Sequence, residues 1–129
     1  MSEAANKQIV ERLFVAMSAL DLEVIDELVS PNVVDHAPMS GEPVFVPDAL
    51  KRMAQQFMAG FPDLQMTLEH VMAEGDKVSC VEYSRGTHTG EFMGMPPTGK
   101  AMEYRAAHIM RIANGQIVER WAVRGAPEV

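Results

Sequence analysis

The sequence predicts an α+β fold, three N-terminal helices packed on a curled, mainly antiparallel sheet. Three features carry that prediction. Apolar residues recur at three- and four-residue spacing through the first half of the chain. From residue 64 the pattern changes to strand-like alternation. Two turn signals, Glu74-Gly75-Asp76 and Asn114-Gly115, then divide the second half into pairs of long strands.

The elements follow in order. Ile9, Val10, Leu13, Phe14, Met17 and Leu20 make one apolar stripe, which predicts a helix over 3–20. Asp21 is an N-cap residue for a short second helix carrying Leu22, Ile25, Leu28 and Val29, with Pro31 as its stop. The stretch NVVDHAPMSGEPVFVP is rich in turn residues, with room for a short strand on either side of Ser40-Gly41. Pro47 at a first helical position and Asp48 in the first turn open a third helix over 47–59. Its apolar face holds Leu50, Met53, Ala54, Phe57 and Met58, and Gly60 suits the position just past its end. Strands are predicted over 64–73, 77–89, 101–113 and 116–124. Two of them run to about a dozen residues, and strands of that length twist, curl and carry bulges. Helices on one face of a curled sheet leave a concavity, where a small-molecule pocket forms.

Composition narrows the function. Hydrophobic residues make up 47% and charged residues 22% of the 129, the balance of a soluble globular protein. No repeat, linker or low-complexity tract interrupts the chain, so one domain over 1–129 is expected. A net charge of −7 argues against nucleic acid or an anionic membrane as partner, because both need clustered Lys and Arg. No apolar run is long enough for a transmembrane helix, and the start, MSEAANKQIV, lacks the pattern of a signal peptide. With only Cys80 as a thiol, placed in an apolar-alternating run as a buried core residue, a cytoplasmic location is expected.

No HExxH, CxxC, GxGxxG or P-loop pattern is present, so no metal or cofactor site is expected, and no serine-hydrolase elbow is found. Four histidines remain. His108, in EYRAAHIMRI, shares a strand face with Met102, Tyr104, Ala106, Met110 and Ile112, an inward face. It reads either as a hydrogen-bonded core histidine or as a general acid/base, since imidazole titrates near neutral pH. Tyr104, on the same face, offers a phenolic donor or packs with its hydroxyl satisfied. His36 follows Asp35 in an extended segment, so the two point to opposite faces and do not pair; one of them enters the cavity. His88 shares a face with Val78, Cys80, Glu82 and Ser84 where its strand gives way to a loop. His70 is expected at the surface. Eleven methionines are present, and Met93 and Met95 flank Gly94 just before two prolines, where flexible thioethers suit a large flat ligand. Phe14, Met17, Phe57 and Trp121 complete the candidate ligand-binding residues with His88, Met93 and Met95. The catalytic candidates are His108, Tyr104 and His36.

The segment GTHTGEFMGMPPTGK (86–100) is far longer than a hairpin needs. With FPDL (61–64), EGDKV (74–78), PNVVDH and HIMRIANGQIVERW (108–121), it resembles the SnoaL-like polyketide cyclase family over nearly the whole chain. The fold is shared with ketosteroid isomerase and nuclear-transport-factor-like proteins, so fold alone says little about function. The resemblance implies a cone-shaped half-barrel with an enclosed pocket, a homodimer, no cofactor and a hydrophobic carbonyl-containing ligand. Its chemistry is an intramolecular aldol condensation: a base removes a proton next to carbonyl groups, and a donor serves the acceptor carbonyl oxygen. The family's active-site histidine falls on His108. The position of the anthracycline cyclases' catalytic aspartate is Ala122, which has no proton to exchange, and Glu119 has the opposite strand parity. A two-residue turn at Asn114-Gly115 sets His108 opposite Trp121, and a three-residue loop with a glycine bulge sets it opposite Arg120. Only the bulged version puts His108 and position 122 on one face. Three functions stay open: a cyclase or isomerase using His108, a role in polyketide hydroxylation, and a non-catalytic binding or dimerisation module.

Overall fold

A computed structural model describes residues 2–38 and 41–124. The helices are α1 (Glu3–Ala19), α2 (Leu22–Leu28) and α3 (Pro47–Gly60); the strands are β1 (Val29–Asp35), β2 (Gln65–Glu74), β3 (Lys77–Thr87), β4 (Ala101–Ala113) and β5 (Gln116–Arg124). They form one open five-stranded sheet in the order β1-β5-β4-β3-β2, with β1 parallel to β5 and the other pairs antiparallel. The α+β architecture read from the sequence is therefore present, three helices on a mainly antiparallel sheet.

Local chemistry explains the helix ends. Ser2 accepts a hydrogen bond from the Ala5 amide, satisfying one of the free donors of the first turn. Leu20 closes α1 in the left-handed region, φ 54°, with its amide on the Ala16 and Met17 carbonyls. Asp21 occupies the N-cap of α2 without a side-chain cap bond. Two expectations change here. Val29 leaves the helix and begins β1, and Pro31 lies inside that strand instead of stopping α2. β1 is an edge strand, where a residue without an amide hydrogen is tolerated. Past the turn, only a single-residue bridge at Glu42 takes the place of a second short strand, and Ser40 lies outside the described residues.

Gly60 is the last residue of α3, not the residue after it, and it keeps a helical backbone. Its role is steric: a Cβ at Gly60 would stand 2.6 Å from the Phe92 Cβ.

The register of the antiparallel strands depends on two bulges. In the β2–β3 pair the register slips between Glu69 and Met72, and His70, exposed as expected, takes a φ of 55°. Asn114-Gly115 is a two-residue turn with both φ values positive, the requirement of a type I′ hairpin. A second slip, between Arg111 and Ile112, follows, so His108 pairs with Ala122. It faces neither Trp121 nor Arg120, the two partners expected. The turn stays short while the bulge lies within the ladder, and His108 and position 122 share a face.

The main core holds the α1 stripe against the inward residues of the sheet, including Val78, Cys80, Met110, Ile112 and Ile117. Phe61, Leu64 and Met102 form a second small core, with Phe57, Met58, Met66 and Phe92 packed against it.

Candidate active site

The inward face of β3 and β4 carries one polar cluster in an apolar setting. Alternation sends Val78, Cys80, Glu82 and Ser84 inward from β3, and Tyr104, Ala106, His108 and Met110 inward from β4. His108 Nε2 lies 2.9 Å from Glu82 Oε1, both side chains almost fully buried at 4% and 5% exposure. Ser84 Oγ donates to Glu82 Oε2 at 2.6 Å. Tyr104 stands near enough to Glu82 to favour its charged form. Burial pushes the Glu82 carboxyl up, but the hydrogen bonds from His108 and Ser84 outweigh it and hold the group below its ordinary value. Burial and the neighbouring Glu82 charge push the Tyr104 phenol up, so it stays protonated as a donor. The Phe14 ring meets the His108 imidazole edge-on, with centroids 5.5 Å apart. His108 Nδ1 has no protein partner.

A second buried pair lies one strand away. Arg120 Nε donates to Asp35 Oδ1 at 3.1 Å, with side-chain exposures of 3% and 0%. Asp35 also accepts from the amides of Ala37, Val44 and Phe45, so it ties down the chain between β1 and α3. Burial raises the Asp35 carboxyl, and these amides and Arg120 bring it below its ordinary value. The Arg120 guanidinium lies over the Phe45 ring, 4.5 Å from its centroid.

The predicted residues separate into four places. Phe14, Met17, Tyr104 and His108 belong to the inward face or to the helix covering it. His88 is buried in the second core: its ring stacks on Phe61 at 5.2 Å, Nδ1 meets Thr98 Oγ1 at 3.0 Å and Nε2 has no partner. Phe57 packs there too, against Phe61 and Phe92. His36 and Trp121, in contrast, stand on the outer face. The His36 ring stacks on Trp121 at 4.9 Å, and Nε2 lies 2.6 Å from Glu119 Oε2. Of the Asp35–His36 step it is Asp35 that turns inward. Met93 and Met95 are exposed at the tip of the long loop, 72% and 54%, and it is Phe92 that reaches the interior. Cys80 is buried in the core, and burial pushes its thiol up to about 12.

Sequence reasoning missed Glu82 as the partner of His108 and missed the Asp35–Arg120 pair. The signal was there in part, since VSCVEYS places a carboxylate at an inward position of a strand, where an unpaired charge is very costly. Two surface depressions, of about 570 Å³ by Ser2, Asn6, Gly75 and Asn114 and of about 280 Å³ by Val29, Pro31 and Pro47, lie away from this cluster. Among the described residues no group of His, Cys, Asp and Glu is placed to hold a metal ion, and no helix is long and apolar enough to cross a membrane.

The chain is 30% identical over 95 residues to the nogalonic acid methyl ester cyclase of Streptomyces nogalater, a match covering 72% of this chain and 70% of that protein. IdmH of Streptomyces antibioticus, a proposed polyketide cyclase, superimposes with a TM-score of 0.78 at 32% identity, over 92% of this chain and 91% of its own. AclR of Streptomyces galilaeus, a proposed hydroxylase, gives a TM-score of 0.79 at 29% identity, over 96% of this chain and 77% of its own. The model of the SnoaL-like polyketide cyclases matches residues 7–125, and the chain belongs to that family.

Proposed function

We propose that the protein is a cofactor-independent enzyme acting on a hydrophobic, carbonyl-rich small molecule, a polyketide cyclase or isomerase with His108 as its acid/base. The observation that supports this most is the buried His108–Glu82 pair, placed with Tyr104 on an otherwise apolar inward face. A proton next to two carbonyl groups is acidic enough for an imidazole to remove. The C–H electron pair stays on the substrate as an enolate, and the proton rests on His108. The enolate carbon then attacks the acceptor carbonyl carbon, and the new alkoxide takes the proton back from His108, with Tyr104 near as a hydrogen-bond donor. Such a reaction calls for shape and one well-placed acid/base.

The test is direct. His108→Ala is expected to abolish turnover of a β-keto ester or anthraquinone precursor, nogalonic acid methyl ester first among them, while ligand binding persists. Unchanged turnover would remove His108 from the mechanism. A second reading, a part in polyketide hydroxylation, is favoured by Ala122 beside His108 and by the similarity to AclR. Mass spectrometry of the product separates the two, because cyclisation keeps the substrate's mass or loses water, whereas hydroxylation adds an oxygen atom. No conversion of any such substrate would leave a binding module.

The protein is further proposed to act as a homodimer through the outer face of the sheet. Ile109 and Val123 are exposed there by 44% and 76%, beside Trp121 and Val34. A monomer on a sizing column at micromolar concentration would end that reading.

A further inference from the structure

The position that carries a carboxylate in the anthracycline cyclases is an alanine here, yet a carboxylate is not missing from the face. Glu82 enters from the neighbouring strand and reaches the same histidine from the other side: its own cross-strand partner is Ala106, two residues before His108 on β4. We propose that Glu82 is the positioning residue of this enzyme, fixing His108 with its proton on Nε2 so that Nδ1 is the basic atom presented to substrate. The inference rests on the reading of His108 as the acid/base.

Hydrogen-bond accounting supports the assignment. Glu82 presents two acceptor oxygens and, when ionised, no donor. One oxygen meets His108 Nε2 at 2.9 Å and the other receives the Ser84 hydroxyl at 2.6 Å. Nε2 must therefore carry a hydrogen. The other ring nitrogen, Nδ1, is buried and meets no protein acceptor. A buried N–H without an acceptor is among the rarest features of folded proteins, while an unused lone pair is better tolerated. The resting ring is thus neutral, protonated at Nε2 and bare at Nδ1. When Nδ1 takes a proton from a carbon next to a carbonyl, the C–H bond breaks, the Nδ1–H bond forms and the electron pair remains on the substrate. The imidazolium so formed faces an ionised carboxylate across a hydrogen bond that its new charge strengthens. Glu82 keeps its position throughout and exchanges no proton. Ser84 holds the carboxylate in place, and the bulge in β5 leaves Ala122 as the small neighbour opposite the ring.

The substitution that separates charge and orientation from size is Glu82→Gln. The amide has one acceptor group and one donor group where the carboxylate had two acceptors, so with the Ser84 hydroxyl donating to its oxygen, its NH₂ turns toward His108. The proton then moves to Nδ1 and the base is lost. On protein labelled with ¹⁵N-histidine, the wild-type His108 resonances are expected to show a proton on Nε2 and none on Nδ1. Glu82→Gln is expected to reverse that pattern and to lower kcat roughly 100-fold or more with KM little changed. A wild-type ring protonated at Nδ1 would overturn the proposal, as would a Glu82→Gln variant that keeps both the wild-type tautomer and the wild-type kcat. The wild-type spectrum needs no variant to fold. It is also independent of turnover: failure to convert any substrate would sink the catalytic reading of His108 without touching the tautomer, and a wrong tautomer would sink the role of Glu82 in an active enzyme.

Discussion

Asp35 and Glu82 are the carboxylates this fold takes out of water, and each is held by a donor two residues along its own segment together with one from another strand. Asp35 collects three backbone amides and Arg120. Replacing Asp35 by Ala leaves the Arg120 guanidinium buried at 2% exposure without its carboxylate, together with three amides lacking their acceptor. Such losses cost about 3–5 kcal/mol, to be read from urea denaturation midpoints. A loss below about 1 kcal/mol would mean that Arg120 finds another acceptor. The residue scale is also where sequence reading was uneven. His108 was legible because EYRAAHIMRI alternates cleanly, and one histidine among apolar neighbours stands out. Its partner was not legible, because the contact joins two strands and depends on their register. The Asp35–His36 step was read correctly as two residues on opposite faces. Which of them turns inward is decided by the parallel pairing of β1 with β5, and no local pattern reports a partner more than eighty residues away.

At the scale of elements, the long connection after β3 is held by close approach of backbones. Gly90 donates its amide to the Gly60 carbonyl at 3.1 Å, and a Cβ on Gly90 would stand 2.0 Å from the Ala59 carbonyl oxygen. Phe92 then fills the space over Gly60. Gly60→Ala therefore sets two effects against each other: alanine is the better helix former by up to about 1 kcal/mol, and its methyl collides with Phe92. The collision is expected to win, with a net loss of about 1–2 kcal/mol. In a Phe92→Ala background the same change should become neutral or stabilising. A double-mutant cycle measures this coupling, and additive effects would show that Phe92 does not rest on Gly60. The helices and both hairpins were legible from periodicity and turn residues. The short strand before Ser40-Gly41 was legible too, but not its start at Val29, because Pro31 read as a helix stop and is a residue that an edge strand accepts. The bulge in β5 was hidden, since nothing in QIVERWAVR marks where one residue is skipped.

For the whole molecule, the buried acids fix the direction of the pH response. Asp35 and Glu82 both sit below their ordinary values of 3.8 and 4.5, so the unfolded chain binds protons more readily than the folded one. Their contribution is complete above the unfolded values and is lost as pH falls through the folded ones. Urea midpoints should accordingly hold between about pH 7 and pH 5 and then drop between about pH 4 and pH 2. Glu82→Gln should flatten that drop in part, and an unchanged profile would show that Glu82 is not ionised in the native state. The sealing of the site has a consequence in time. His108 is 4% exposed beneath Phe14, so under the proposed reaction a less populated open form would have to admit ligand to Nδ1. Association should then be governed by opening: in stopped-flow mixing the observed rate would level off with rising ligand concentration, and that plateau would be the opening rate itself. Substitutions that loosen the α1 cover, such as Phe14→Leu, should raise the plateau, which makes the first step of turnover a property of helix packing and not of the substrate.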